Sequence, residues 1–455
     1  MTVLWWARRD LRLSDNPALY AATANGPVLP LFVLDPSLFG AVARPRDAWY
    51  AANVLALDEQ LGGGLCLRMG SPERVVVETA RAVGATAVHV SRESTPVGRR
   101  RDDTVAARLA EHGIDWVETG SPYAVTPGRI TKPDGSPYRV FSAFARAWRE
   151  HHWPPPARRP SQLSTMTPPE PGRADGVRAI LDGAVRASTV PLPAAGEHAA
   201  MTAWKDFLAE HLCGYADHRD RPDLSATTRL SPYLKVGAVH PRTLLAALAA
   251  HPGTDAEKLA SELAWREFYA DVLHHNPTSL RRDLTSALAG MTYAEPGAEF
   301  AAWRRGATGF PLVDAGMRQL RTEGWMHNRV RMVVASFLAK DLHVWWPHGA
   351  AHFMDLLLDG DPASNAHGWQ WVAGTGTDAA PYFRVFNPTA QAQKFDPRGD
   401  YVRRFVPELR HLPGAAALTP WTHADGYARG YPPRIVDHAQ ERDIALQRYR
   451  QGRGA

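Results

Sequence analysis

The sequence predicts an α/β domain built on a doubly wound parallel sheet of the Rossmann type, followed by an all-α domain. Three observations carry this reading. Short β-rich runs alternate with helical patterns over the first 125 residues, a proline-rich stretch interrupts the chain near residue 160, and beyond residue 200 the apolar periodicity is helical with no strand alternation.

Val3 to Trp6, Val28 to Leu34, Leu65 to Met69, Ala87 to Val90 and Ile114 to Val117 read as the strands. Between the first two, Asp15-Asn16-Pro17 is a helix-start signal, an Asn cap followed by Pro in the first turn. The first β-to-α turn, WARRDLRLSDN, lacks the glycines that let a backbone approach a pyrophosphate, which argues against a nicotinamide cofactor. From Trp153 to Gly172 there are seven prolines, a composition that suits an extended connector laid over the surface. These shifts divide the chain into a first domain over 1–125, a linker over 126–197 and a helical domain over 198–455. In the last, Met201 to Leu212, Asp255 to His274, Pro311 to Glu323 and Asn328 to Leu342 have amphipathic helical patterns.

With 455 residues, 45% hydrophobic and 22% charged, the chain has an ordinary globular composition and enough length to enclose a sizeable cofactor. No apolar run approaches the roughly 18 residues a membrane span requires. The N-terminus turns charged after six residues and shows no small-residue cleavage site, so no secretory signal is read and a cytoplasmic protein is expected. Cys66 and Cys213 are the only cysteines, which argues against a disulfide framework or a cysteine zinc site and suits a reducing compartment. Net charge is +5, and only six of the 52 basic residues are Lys; this balance permits a nucleic-acid partner without demanding one. Nine of the 15 Trp lie after residue 200, where they serve to pack, to stack on a ring or to pass an electron.

Phosphate-loop, HExxH and GxSxG signatures are missing, and the His151/His152 and His274/His275 pairs lack the spacing of a metal site. In LCGYADHRDRPDLSATTRLSPYLKVG, Thr227, Thr228 and Ser231 precede Pro232 and an apolar helical start. Ser231 reads as a helix cap, either an ordinary one with Arg229 in solvent or part of an anion site. Glu262, Trp265, Arg266 and Tyr269 share one helix face. That face is either a Glu262 to Arg266 surface pair beside a tryptophan or a wall lining a polar cavity. Asn328, Arg331, Met332 and Ala335 share another face. Asp359-Gly360-Asp361 has two carboxylates but no third ligand nearby, which is weak evidence for a metal; the pair could equally accept hydrogen bonds from a heterocycle or pair with a buried Arg. Trp369 and Trp371 point in opposite directions if helical, as two core rings or as one ring touching a redox ring while the other lines a cavity.

Taken together, WWARRDLRLSDNPAL, TTRLSPYLKVG, ELAWREFY, GWMHNRVRM, DGDPASNAHGWQW and FRVFNP, in this order over most of the chain, resemble the photolyase/cryptochrome flavoproteins. The resemblance implies an α/β antenna domain and an all-α domain holding a folded-back FAD. It implies that Tyr215 and Thr227, Thr228, Arg229, Leu230 and Ser231 hold the diphosphate, with Glu262, Arg266, Asn328 and Gly360 also at the cofactor. Arg331 would pair with Asp359 beside the flavin, Asp361 would accept from it, and Asn365 would face flavin N5. The pocket set Glu262, Trp265, Asn328, Met332 and Trp371 resembles the class I enzymes that split cyclobutane pyrimidine dimers (CPD) by light-driven electron donation from reduced FAD. Arg219, Trp265, Arg266, Arg329, Trp371, Arg384 and Gln391 would hold the damaged DNA, bound by a monomer with no membrane and no obligate protein partner.

The family relay of three tryptophans matches at Trp369 and Trp346, while its outer position falls on Tyr293, which suggests slower photoreduction or an exit through Trp303. Glu93 and Lys235 match positions of members that bind 8-hydroxy-5-deazaflavin as antenna; methenyltetrahydrofolate or no antenna are the alternatives. A blue-light receptor of the cryptochrome kind is the main rival, weakened by Asn365 where an acid would otherwise stand and by the closing RYRQGRGA, which leaves little room for a signalling tail. Repair of the (6-4) photoproduct would call for histidines at Asn328 and Met332.

Overall fold

The computed structural model describes residues 2–454 apart from 25, 40–43, 162, 167–171 and 378–383, so part of the proline-rich stretch lies outside the described residues. Contacts divide the chain into two compact units. One is Met1–Tyr138 with Ser142–Cys213 and Thr228–Pro277; the other is Arg139–Phe141 with Gly214–Thr227 and Thr278–Ala455. The units interleave along the chain because contact divides it differently from composition: residues 142–213 and 228–277, helical like most of the C-terminal half, group with the sheet.

The first unit carries five strands, β1 (Thr2–Trp6), β2 (Val28–Leu34), β3 (Cys66–Met69), β4 (Ala85–Val90) and β5 (Asp115–Glu118), in the order β3-β2-β1-β4-β5. All four pairings are parallel, as the strand-helix alternation predicts. Helices α1 (Pro17–Thr23), α2 (Pro45–Gln60), α3 (Pro72–Ala82) and α4 (Pro96–Ala110) fill the connections, and each opens on proline, where a missing N–H costs nothing. Asn16 caps α1 by accepting from Leu19 N at 3.0 Å. The sheet order reverses between β1 and β4, which leaves a crevice at their carboxyl ends.

The proline-rich stretch is extended but not unpartnered. Val28 N donates to Ser164 O at 2.9 Å and Met166 N to Val28 O at 3.1 Å, pairing the connector with the start of β2 ahead of the Leu31 to Leu34 stretch that β3 covers. Helices Phe141–His151 and Gly172–Arg186 also fall within the span read as linker.

The 22-residue helix Thr254–His275 buries two acids that its sequence pattern did not single out. Glu267 accepts from Ala124 N at 2.5 Å, Val125 N at 3.0 Å and Trp148 Nε1 at 2.6 Å, while Asp271 accepts from Gly128 N at 2.7 Å. A loop laid against a helix must give its amides an acceptor, and these carboxylates supply it. Burial pushes Glu267 up to about 7 although all three donors pull the other way.

In the second unit, helices Pro311–Glu323, Asn328–Ser336, Trp346–Leu356 and Pro362–Ala373 enclose one apolar core that includes Trp303, Met317, Val330, Phe353 and Trp369. The helix read from Asn328 to Leu342 keeps α geometry only to Ser336 and continues as a π-turn, Phe337–Asp341. That wider turn carries two buried charges to distant partners: Lys340 Nζ donates to the Arg384 carbonyl, and Asp341 meets His438 Nδ1 at 2.5 Å.

Glu267→Gln keeps the volume but sets an amide NH2 against a cluster of N–H donors. It should destabilise the protein by about 1–3 kcal/mol, read as a lowered denaturant midpoint; an unchanged midpoint would show that the three hydrogen bonds carry no net stability.

Candidate active site

Asn328, Arg331 and Met332 lie on one face of the helix Asn328–Ser336, exposed or half-buried, while Val330, Val333 and Val334 turn into the core. Arg331 is anchored twice, through Nε to Met326 O at 2.8 Å and through Nη2 to Asp359 Oδ2 at 2.8 Å. Of the alternatives for Asp359, the structure therefore realises the pairing with Arg. The other oxygen, Asp359 Oδ1, is buried and receives no hydrogen bond from any described residue. A buried acceptor without a donor is costly, and among the described residues none supplies one to this oxygen.

Asp361 is used differently, since its Oδ1 accepts from Ala363 N and Ser364 N, both at 3.1 Å, and caps the helix Pro362–Ala373. Gly360 is buried between the two acids. One turn along that helix, Asn365 donates Nδ2 to Ala350 O at 2.9 Å, which turns its carbonyl oxygen outward as an acceptor. A fixed cation, a half-paired buried carboxylate and a neutral amide oxygen form a donor set suited to a polar heterocycle. Among the described residues no cluster of His, Cys, Asp or Glu could hold a metal. The residues present therefore fit a flavin. Bound, it would meet Arg331, Asp359 and Asn365.

Trp369 is buried in the core with its ring over Gly349, where a Cβ would fall 2.2 Å from the ring, whereas Trp371 is half-buried. Both serve the same core, Trp369 within it and Trp371 packed against it. Trp346 is buried and donates Nε1 to Asp283 at 2.7 Å. Trp345, which no sequence motif singled out, shares the same oxygen at 3.3 Å, and Tyr293 packs against Trp345 with ring centroids 6.3 Å apart. The adjacent WW pair was the available signal.

Several cations expected from the sequence to hold DNA prove to be engaged within the chain. Arg329 pairs with Asp220 at 2.8 Å and lies over the Phe395 ring, and Arg219 approaches the same Asp220 at 3.8 Å. Arg384 is exposed and Gln391 half-buried. Tyr215 is buried, opening a short helix, Tyr215–His218.

In the first unit, Glu262, Trp265, Arg266 and Tyr269 are all half-buried along the helix Thr254–His275, with Trp265 and Tyr269 in ring contact at 5.4 Å. The Glu262 to Arg266 pair considered from the spacing is not formed, because the Arg266 guanidinium donates to Pro122 O and Leu234 O and lies over Tyr123. The phosphate-like segment also differs in detail. Ser231 is the first residue of the helix Ser231–Val236, not its cap. Arg229 takes a positive φ of 48°, and that tight turn lets Thr228 Oγ1 accept from Leu230 N at 3.3 Å. Thr227 and Thr228 are half-buried, Leu230 buried, and Ser231 and Arg229 exposed. At the crevice between β1 and β4, Glu93 accepts from Ser94 N and Thr95 N and pairs with Arg9 at 3.6 Å. Burial would raise its carboxyl, but Arg9, the Thr95 amide and Arg101 hold it down at about 2. Arg9 Nε also reaches the Lys235 carbonyl at 3.5 Å, so Lys235 meets this crevice through its backbone.

His327 caps the helix Asn328–Ser336 as a neutral base, Nδ1 accepting from Arg329 N at 3.2 Å. Burial pulls it down to about 4, helped by Arg329 and Arg331 and opposed by Asp220. Between pH 6.5 and 4 the unfolded chain then takes up a proton that the folded one refuses, so stability falls on acidification, by about 1.4 kcal/mol per pH unit for such a group. His327→Asn keeps a cap that does not titrate. Denaturant midpoints compared at pH 7 and pH 5 should shift less in this variant than in the parent; equal shifts would remove His327 from the acid response.

Residues 3–161 match the family model described as DNA photolyase, and residues 259–451 match the FAD binding domain of DNA photolyase. A deoxyribodipyrimidine photo-lyase of Alkalihalophilus pseudofirmus is 36% identical, covering 97% of this chain and 96% of its own. The crystal structure of a class III photolyase from Agrobacterium tumefaciens superposes with a TM-score of 0.88 at 35% identity, covering 100% of this chain and 98% of the other. That of a Synechocystis cryptochrome gives 0.86 at 27% identity over 98% of each. Motif order, the parallel sheet with its helical partner unit, and similarity over the whole length agree: the chain belongs to the photolyase/cryptochrome family.

Proposed function

We propose that the protein repairs cyclobutane pyrimidine dimers in DNA in a light-dependent reaction, with FAD as cofactor. The observation that carries this reading is Asn365, a neutral side chain tethered to Ala350 O beside the Arg331–Asp359 pair. Bound and reduced, FAD supplies the electron that opens the dimer and takes it back afterwards. A cation stabilises an electron-rich ring and a neutral amide does not oppose it, whereas an unpaired carboxylate in place of Asn365 would repel it. The relatives' common name, deoxyribodipyrimidine photo-lyase, supports the same substrate.

The remaining work falls to the chain. A dimer's fused bases stack poorly, so extruding them costs less than the few kcal/mol needed for normal bases, and damage selects itself. Trp265 in one unit and Trp371 in the other each offer a half-buried ring to an unstacked base. Met332 adds a polarizable apolar contact, Asn328 a hydrogen-bonding amide, and Glu262 a carboxyl for the polar edge of the lesion and its charge. Arg219, Arg329, Arg384 and Gln391 serve the phosphates, which fix register without reading sequence. Arg266, whose guanidinium holds Pro122 and Leu234, acts on either cofactor or DNA by fixing the helix of Trp265. Thr227 to Ser231 and Tyr215 serve the cofactor diphosphate, and the Glu93 crevice serves an antenna of the deazaflavin type.

Within the family, the pocket set supports class I, while the match to a class III photolyase favours that subdivision. The cryptochrome match is the one observation favouring a receptor, and Asn365 weighs against it.

Incubating the protein with a dimer-containing oligonucleotide should restore the bases in blue light and not in darkness; restoration in the dark, or none with fully reduced flavin, would contradict the assignment. Trp369→Phe should block photoreduction while chemically reduced protein still repairs; loss of both together would count against separating the two electron routes. Arg384→Ala should weaken DNA binding and lower its salt slope by about one, read from affinities at several salt concentrations.

A further inference from the structure

The helix Asn328–Ser336 runs on into the π-turn Phe337–Asp341, and that turn buries a cation. Lys340 is only 3% exposed, and its Nζ donates to the carbonyl of Arg384. Taking an ammonium out of water is costly even when it finds an acceptor. Burial pulls Lys340 down to about 7, with Arg384 pulling the same way and Asp341 opposing. A neutral donor would fasten a carbonyl at less cost, so the charge has an effect to be sought beyond the hydrogen bond.

The segment that Lys340 holds is fastened residue by residue. Arg384 gives its carbonyl to Lys340, Val385 packs against the cluster of Leu288, Met291 and Ala445, and Phe386 N donates to Ser336 Oγ at 3.3 Å. Both polar fastenings come from one continuous element, Ser336 closing its α-helical part and Lys340 standing four residues on in the wider turn. The main chain of 384–386 is thus held, yet the Arg384 side chain is exposed. A buried ammonium at the Arg384 carbonyl attracts that oxygen and repels the guanidinium of the same residue. It therefore draws the main chain inward and turns the side chain to solvent. On its open face the same element carries Asn328, Arg331 and Met332, with Arg331 locked to Asp359 at 2.8 Å. One rigid element places both the groups suited to the flavin and the main chain that bears Arg384.

We propose that Lys340 is a positioning residue for DNA binding: from the interior it fixes the Arg384 main chain and directs the guanidinium outward, to a phosphate of the damaged strand. The proposal rests on the reading of Arg384 as a phosphate contact.

The test is a double-mutant cycle on the flavin-loaded protein, with parent, Lys340→Met, Arg384→Ala and the double variant. Methionine keeps an unbranched side chain without the donor or the charge. Affinity for a dimer-containing oligonucleotide is measured in darkness at several salt concentrations, and repair is measured in blue light at saturating oligonucleotide. Arg384→Ala should weaken binding about tenfold, as loss of one charge-assisted hydrogen bond does. Lys340→Met should weaken it several-fold and lower the salt slope, the mark of a lost phosphate contact, while repair at saturation stays near the parent's. Added to Arg384→Ala, Lys340→Met should weaken binding no further. Unchanged affinity or salt slope in Lys340→Met, losses that multiply in the double variant, or repair lost at saturation would each overturn the proposal. Parent-like affinity in Arg384→Ala overturns the phosphate reading of Arg384, and the proposal with it. Should Lys340→Met fail to fold, Lys340→Gln, whose amide nitrogen stops one bond short of Nζ, takes its place in the cycle with the same outcomes.

Discussion

A carboxylate taken out of water must be given donors, and much of this structure follows from how each buried acid meets that demand. Glu267 takes three N–H groups, two of them from a loop more than a hundred residues distant in sequence. Asp314 gathers Thr308 N and Oγ1, Gly309 N and the Tyr431 hydroxyl, joining the start of one helix to the chain's C-terminal region. Asp396 receives Tyr401 N and Val402 N. Each acid is thereby a fastening point, and each fixes backbone that has no regular structure of its own.

Asp359 meets the demand only by half. Asp58 and Asp271 also leave one oxygen without a hydrogen bond, but those oxygens face Arg178 and His275. Asp341 and Asp359 each pair one oxygen, with His438 and Arg331, and leave the other without a hydrogen bond from any described residue. With Asn365 tethered by its amide nitrogen, the same small region presents a cation, an anionic acceptor and a neutral acceptor at fixed positions. Such an arrangement is expensive unless a ligand completes it, and completing it is how a binding site returns the cost of its own desolvation. Asp283 shows a related economy, one carboxylate oxygen serving two indoles.

The elements were largely legible in the sequence. All five strands lie within two residues of their predicted limits, and the helix Pro311–Glu323 matches at both ends, because period and end signals are local properties. The Arg331–Asp359 pairing was also within reach, through resemblance. The Ser231 cap was misjudged, while the helix face of Glu262 had been left with two readings, a pair with Arg266 or a cavity wall. Spacing shows which side chains could meet, but not that Arg229 would adopt a positive φ or that two carbonyls would claim Arg266.

What the sequence determined by itself was the kind and order of the elements and the family they belong to, since these depend on periodicity, turn chemistry and motifs within a few residues of one another. The tertiary structure alone decided who partners whom: Glu267 with the amides of 124 and 125, Lys340 with the Arg384 carbonyl, and Asp283 with two tryptophans. The physical reason is that hydrogen bonds and ion pairs act over a few ångströms. A partner distant along the chain is therefore selected only when packing brings it close, and that information is spread over the whole fold.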